Sequence, residues 1–264
     1  MQKLTKFQFE ELILNKISNE SNIVQKKEIT RSEILYKPEI EDLYRLYSIV
    51  IDNAVTSILE IGSGWSTLAM AMGMHYNYEN FGQEYVNDRN RHAFQIHSYD
   101  SSQYFMNIAL NRLNSKEVKF VIPTICKHQM STFRDLPATY MSPIPKFDFD
   151  FIYLDAPEPE QIFNTTGLLE VNSIYDFPIS ADLLRNEAYL QPFTIILIDG
   201  RTANARFLAQ NFYRPWMCHE NQALDVSLFL LDEKPLGNIN KKHIEFRKLR
   251  SITKLNFEKI LNNL

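Results

Sequence analysis

One stretch limits what this chain can fold into: Ser57 to Gly73, SILEIGSGWSTLAMAMG. Ser57-Ile58-Leu59-Glu60-Ile61 is a short apolar run with β-branched residues, the pattern of a strand buried on both faces. Gly62-Ser63-Gly64 breaks that run. Ser66 or Thr67 then stands where it can cap the helix-forming segment Leu68-Ala69-Met70-Ala71-Met72. A strand, a tight glycine turn and a helix N-terminus together make a cradle for a ligand. Glycine lets the ligand approach the backbone, and the free N–H groups suit an anionic or polar group.

The 264 residues suffice for one large α/β domain, or one core with appended helices. A net charge of −4 argues against a nucleic-acid partner, since such proteins are usually basic. Two cysteines, Cys126 and Cys218, make no disulfide framework and read as buried thiols in a reducing compartment. No apolar run approaches a membrane span, and Met1 to Ser18 mixes Lys, Glu and Gln into its apolar residues, unlike a secretory leader. A cytoplasmic protein with no membrane partner is expected. In that setting the glycosylation pattern Asn164-Thr165-Thr166 carries no meaning.

The cradle narrows the choice of ligand. A dinucleotide fingerprint wants a third glycine three residues after Gly64, where this chain has Thr67. Leu59-Glu60-Ile61-Gly62-Ser63-Gly64-Trp65-Ser66-Thr67 instead resembles motif I of the class I S-adenosylmethionine-dependent methyltransferases, in its LE-x-GSG-x-ST form. The resemblance extends over roughly Ile58 to Leu231. It implies a Rossmann-like seven-stranded α/β sheet, mostly parallel with a terminal antiparallel hairpin, and helices on both faces. It also implies S-adenosyl-L-methionine as cofactor and methyl transfer to a small-molecule or glycan-like acceptor, at oxygen rather than nitrogen. A nicotinamide-dinucleotide oxidoreductase and a non-catalytic cofactor-binding relative stand as alternatives. The expected organisation is an N-terminal helical extension over 1–55, the cofactor-binding domain over 56–235 and a basic helical tail over 236–264.

Along the chain, Phe7, Phe9, Leu12, Ile13 and Ile17 recur at helical spacing, as do Leu43, Leu46, Tyr47 and Val50. These helices read as a lid packed on the sheet, with Tyr36 or Lys37 as a minor candidate for the cofactor mouth. The polar stretch Tyr76 to His92 reads as an insertion. Phe94 to Asp100 is the second strand, followed by a helix over Ser101 to Leu113, and Val118 to Ile122 is the third. Ser131 to Lys146, with Pro137, Pro143 and Pro145, reads as loop with at most a short helix. Asp148 to Asp155 is the fourth strand, Glu158 to Ser180 a long loop over the acceptor pocket, and Ala181 to Leu190 a helix. Thr194 to Ile198 is the fifth strand, with a helix from Thr202 to about Phe212. Trp216–Glu220 and Val226–Leu231 close the sheet. The basic tail from Lys241, with Ile252, Leu255 and Leu261 along one side, packs on the domain or on a second subunit, so a homo-oligomer stays open.

Candidate site residues follow from strand ends. In an open parallel sheet, ligands sit outside the carboxyl ends of the strands. By the resemblance, Glu60, Gly62, Ser63, Gly64, Ser66 and Thr67 hold the cofactor at the turn. Asp100, with Ser101 beside it, accepts from the ribose hydroxyls; the plainer role for Asp100 is a helix cap. Ile125 to Gln129 should lie near the adenine. Asp155, in Asp155-Ala156-Pro157, matches the family's motif IV and belongs closest to the transferred methyl; read alone, it is a strand-end acid capping a turn. Asp155 and Asp199 end neighbouring strands. Either they bind a divalent metal, or one is a base while the other orients Arg201. Catechol-type members carry Asp-Asn after the fifth strand, where this chain has Asp199-Gly200, so a metal is not favoured, although Asn204 could substitute. Arg201 and Arg206, if they face the pocket, would grip an anionic acceptor; salt bridges to Asp199 or to the long loop are the competing roles. His128, at the expected rim, is a better base candidate than His97 inside its strand or His219.

Overall fold

The apolar run Ser57–Ile61 forms strand β1, buried at every residue, in the middle of a seven-stranded sheet. The computed structural model describes residues 1–24, 37–85, 93–143, 149–157, 162–163, 178–262 and 264. Tyr36, Asp148, the glycosylation pattern and nearly all of the expected acceptor-side loop lie outside them.

Two helices, α1 (Lys6–Val24) and α2 (Ile40–Asp52), precede β1. Helix α3 (Trp65–Phe81) leads to β2 (Gln95–Asp100), α4 (Gln103–Asn111) and β3 (Val121–Ile125). A hairpin of β4 (Lys127–Phe133) and β5 (Leu136–Ser142) follows, then β6 (Phe151–Leu154) and the short β7 (Ile162–Phe163). Next come α5 (Asp182–Asn186), β8 (Ile195–Asp199), α6 (Thr202–Asn211), β9 (Trp216–Asn221) and β10 (Val226–Leu231). The chain closes with α7 (Gly237–Arg250) and α8 (Phe257–Leu261). Among the described residues no helix is long and apolar enough to cross a membrane.

The main sheet runs β3-β2-β1-β6-β8-β10-β9. The first five of these strands are parallel, while β10 lies antiparallel between β8 and β9. This is the expected Rossmann-like methyltransferase sheet with its closing hairpin. Strand order reverses at β1, so the carboxyl ends of β1 and β6 flank the switch point where an open α/β sheet leaves a crevice. One face of the sheet packs Ile58, Phe151, Ile195 and Leu228 against Phe9, Tyr47, Leu68 and Ile260 of the helices. The other packs Leu59, Ile152, Ile196 and Phe229 against Leu183, Leu208 and Met141.

Several boundaries differ from the sequence reading, each for a physical reason. Helix α3 absorbs Tyr76–Phe81 of the expected insertion. Asn77 is wholly buried there, its amide donating to the carbonyls of Val50 and Val55 at 2.9 Å each, so a polar residue serves the interior. Strand β3 begins only at Val121, after a 3-10 turn over Val118–Phe120, and runs through Pro123, which an edge strand tolerates. Helix α4 is shorter than expected at both ends, and Ser102 caps it by accepting from the Phe105 N–H. The expected helix over Ala181 to Leu190 holds only through Asn186 before tightening into a 3-10 turn.

The largest correction concerns Ser131 to Lys146. Its prolines suggested loop, yet β4 and β5 pair from Lys127↔Ser142 to Phe133↔Leu136, with β7 added to β4. Arg134 and Asp135, at φ 49° and 65°, form a two-residue turn of the kind that matches strand twist. Pro137 lies on β5, an edge strand, where a missing donor costs little.

The basic tail docks on its own domain. Asp150, fully buried just before β6, accepts from Thr56 N and Oγ1 at 2.8 Å each and from His243 Nε2 at 2.6 Å, with Arg247 Nη1 at 3.2 Å. Arg247, 1% exposed, also donates to the carbonyls of Asn53 and Phe193. Leu255, Phe257 and Ile260 are buried beyond it, whereas Ile252, expected on the same side, is exposed. Burial alone would raise the Asp150 carboxyl, but Arg247 and His243 outweigh it and hold the group well below the usual carboxylate range.

A folded pKa below the unfolded value means stability that is present above about pH 4 and lost as pH falls further. Arg247→Met strands part of that buried charge. It should cost about 3 kcal/mol in denaturant unfolding at neutral pH, and that cost should shrink as pH falls below about 4 and Asp150 takes up its proton; an unchanged unfolding midpoint at neutral pH would show that the tail is not anchored there.

Candidate active site at the switch point

The turn after β1 is built around a buried acid. Glu60 has no exposed surface, and its carboxylate accepts from Ser66 Oγ (2.7 Å), Thr67 Oγ1 (2.8 Å) and Ser98 Oγ (2.5 Å). One side chain thus ties β1 to β2 and to the first turn of α3. Thr67 acts twice, since its Oγ1 also accepts from the Gly64 N–H at 3.1 Å. The expected cap at Ser66 or Thr67 is displaced: the helix starts at Trp65 with Gly64 in the capping position, and both hydroxyls turn inward. Glu60 therefore shapes the cradle from beneath and has no surface with which to touch a ligand, a correction to the direct contact expected of it. Burial pushes its carboxyl up to about 7; the three hydroxyls oppose the rise and Asp100 adds to it.

The two glycines serve different needs. Gly62 has φ +99°, and a Cβ there would meet the Asp155 carbonyl oxygen at 2.8 Å and Ala156 Cβ at 3.1 Å. That position admits glycine both for its backbone and for the close approach to the end of β6. Gly64 has an ordinary extended backbone, but a Cβ there would find only Ser66 Oγ, at 4.0 Å. A side chain at Gly64 would project into the cradle.

Asp100, at the end of β2, faces the same turn and is 6% exposed. Its Oδ2 accepts from Ser63 N (2.9 Å) and Ser63 Oγ (2.6 Å), and its Oδ1 from Ser102 N (2.7 Å). The cap of α4 falls to Ser102, so Asp100 is used to brace the turn. Ser101 Oγ beside it is buried with no hydrogen-bond partner among the described residues. Ile125, paired in register with Asp100 at the end of β3, exposes an apolar side chain at this edge. The remaining lone pair on Asp100, the orphaned Ser101 hydroxyl and the open space at Gly64 are features that a polar nucleoside ligand fits.

Across the switch point, Leu154↔Ile198 is the last paired position before Asp155 and Asp199. The two acids stand at adjacent strand ends, as expected, with Asp155 exposed and Asp199 half-buried. Tyr153, which the sequence reading passed over, donates from its buried hydroxyl to Asp199 Oδ2 at 2.7 Å. Burial raises the Asp199 carboxyl, with Asp42 and Asp225 adding to the rise, and Tyr153 and Arg45 opposing it. Burial, then the charges of Asp155 and Asp199, hold the Tyr153 phenol well above its ordinary range. Period-two alternation could have found Tyr153, which lies two residues before Asp155 on a strand neighbouring that of Asp199. Asp42 and Arg45, joined at 2.6 Å on α2, bring that helix into the electrostatics of the same edge.

The remaining candidates separate. His128 is not an exposed rim base: it is 1% exposed on β4, with Nε2 3.8 Å from Cys126 Sγ. Burial, then the Arg201 charge, lowers it to about 4, so the ring is neutral. Arg201 is itself buried and near enough for that effect. Arg206 lies on the surface and pairs with Glu220 at 2.7 Å. Asn204, the substitute metal ligand, spends its amide on the backbone of Ser180 at 2.7 and 2.9 Å. Among the described residues no group of three or more His, Cys, Asp or Glu side chains is arranged to hold a metal ion.

No family model matches the sequence, and no curated protein matches it. Solved structures do. The O-methyltransferase TomG from Streptomyces achromogenes, in complex with SAM, is 13% identical over 84% of this chain and 90% of its own, with a TM-score of 0.42. An O-methyltransferase from Bacillus cereus, in complex with SAH, is 14% identical over 88% and 93%, with a TM-score of 0.42. Cofactor-bound Rv0187 from MTB is 12% identical over 85% and 91%, with a TM-score of 0.45.

Two outcomes test the geometry of the turn. A carboxyl raised on folding contributes stability that is complete below about pH 4 and is lost as pH rises through about 7. Thermal unfolding of the wild type should therefore weaken between pH 5 and 8, by up to about 1.4 kcal/mol per pH unit, and Glu60→Gln should flatten that slope; a wild-type slope that survives the substitution would exonerate Glu60. Gly62→Ala should cost roughly 1–3 kcal/mol in chemical denaturation, whereas Gly64→Ala should cost much less.

Proposed function

We propose that the chain is an S-adenosylmethionine-dependent methyltransferase acting on a small-molecule or glycan-like acceptor, at oxygen in preference to nitrogen. The observation that carries this reading is the glycine turn braced from both sides. Gly62 is pressed onto the end of β6 and Ser63 is tied to Asp100, leaving open space above Gly64. A dinucleotide reading gains nothing from the same turn. Its third glycine is replaced by Thr67, whose hydroxyl is committed to Gly64 and Glu60.

The cofactor supplies an electrophilic methyl group on a sulfonium. In this reading Gly64 and the start of α3 receive its amino-acid end, Asp100 and Ser101 the sugar, and Ile125 the base. Asp155, at the end of β6, stands nearest the reacting centre. Holding two reactants in line is worth ~7 kcal/mol or more, so positioning is the main task of these groups. A hydroxyl acceptor also needs its proton removed. Asp199 suits that role: burial raises its proton affinity and the Tyr153 hydroxyl fixes its orientation. Arg201, buried beside neutral His128, would favour an acceptor with a negative group within its reach.

Calorimetric titration with S-adenosylmethionine and S-adenosylhomocysteine tests the reading directly. Binding of both is expected, and no heat with either would overturn it. Gly64→Arg should weaken binding at least tenfold while thermal unfolding stays near that of the wild type. Asp155→Ala should lower turnover far more than affinity; an equal loss in both would remove Asp155 from the reacting centre.

A further inference from the structure

The ribose site suggested by Asp100 is short of acceptors. An ionised carboxylate offers about four lone-pair positions. Three are filled by the protein: both on Oδ2 by the N–H and O–H of Ser63, and one on Oδ1 by the N–H of Ser102. One position remains, yet a vicinal diol brings two hydroxyl protons. Asp100 alone cannot accept both while the turn keeps this shape.

The missing acceptor is adjacent. The Ser63 hydroxyl gives its proton to Asp100 at 2.6 Å, a charge-assisted bond that fixes which way the hydroxyl points. With that proton committed, the lone pairs of Ser63 Oγ face away from the carboxylate and are free to accept. We propose that Ser63 is a specificity-determining residue for the ribose diol, Oγ accepting one hydroxyl while Asp100 Oδ1 accepts the other. Asp100 then has a double function: it binds one hydroxyl and orients Ser63 to bind its neighbour. The alternative, in which the ligand expels the Ser63 hydroxyl and takes both oxygens of Asp100, predicts the opposite effect of removing that hydroxyl.

This inference rests on the cofactor reading above, and the experiment separates the two. Dissociation constants of S-adenosylhomocysteine and its 2′-deoxy and 3′-deoxy analogues are measured by calorimetry on wild type, Ser63→Ala and Ser63→Thr. Ser63→Ala should weaken S-adenosylhomocysteine about tenfold, the value of one hydrogen bond at the upper end of the ordinary range. One deoxy analogue should bind wild type and Ser63→Ala equally, because it lacks the hydroxyl that Ser63 accepts, and Ser63→Thr should restore most of the affinity. Equal or tighter binding by Ser63→Ala, or an undiminished effect of Ser63→Ala with both analogues, overturns the role of Ser63 and leaves the cofactor reading standing. Should Ser63→Ala fold poorly, Ser63→Gly carries the same comparison: S-adenosylhomocysteine bound about tenfold more weakly, with one deoxy analogue indifferent to the substitution, supports the inference, and equal or tighter binding overturns it. A wild type that binds none of the three ligands overturns both.

Discussion

The carboxylate of Glu60, sealed in the sheet, is the interaction on which the rest of the ligand edge depends. Burying a carboxyl is costly unless its oxygens find donors, and here three hydroxyls converge on it from β2 and from the first turn of α3. Those hydroxyls are what hold the start of α3 against β1. The turn between them has little freedom left. Gly62 is wedged beneath the end of β6, Ser63 bonds to Asp100, and Gly64 donates to the same Thr67 that reaches Glu60. The open space above Gly64 thus lies over a polar network that runs from Glu60 through Thr67 to the Gly64 N–H.

A second buried acid organises the opposite edge. Asp150 sits where β6 begins, against Thr56 just before β1, and gathers His243 and Arg247 from α7. The two acids differ in what they face. Glu60 is hydrogen-bonded by neutral hydroxyls and repelled by Asp100, so burial dominates and its proton affinity rises. Asp150 meets a guanidinium and an imidazole, so burial is outweighed and its proton affinity falls. The fold therefore carries opposite pH sensitivities at its two ends: acid loosens the edge that holds the tail, and alkali loosens the edge that carries the cradle. The tail thus docks at the amino ends of the strands, opposite the ends that carry Asp100, Asp155 and Asp199.

What could be read from the chain beforehand was whatever short-range chemistry dictates. The strand–glycine–helix signal of Ser57 to Gly73, the acids at the ends of β2, β6 and β8, and the closing hairpin all depend on local periodicity and turn residues, and they stand where expected. The misreadings concern partners distant in sequence. Asn77 looked like part of a polar insertion because its buried carbonyl partners lie 27 and 22 residues away. The hairpin of β4 and β5 was hidden by prolines that an edge strand accommodates. His128 looked like a rim base because it follows the third strand at the expected ligand edge, and nothing local says that its segment pairs with β5 and β7 and buries the ring. Tyr153 was passed over as one more apolar strand residue, although the tip of its ring reaches the next strand's acid.

The edge shared by β6 and β8 has its own electrostatic logic, set by residues from three parts of the chain. Asp199 is half-buried there, and the charges around it compete: Asp42 and Asp225 raise its proton affinity while Arg45 lowers it. Arg45 is tied to Asp42, so α2 brings a nearly neutral pair toward Asp199 and leaves burial as the deciding influence. The Tyr153 hydroxyl cannot readily give up its own proton between two carboxylates, so it serves as a fixed donor. A carboxylate with raised proton affinity, held by a donor that will not ionise, is an arrangement that can take a proton from an incoming hydroxyl and keep its orientation while doing so. The helix before the sheet thereby belongs to the electrostatics of this edge as well as to the core.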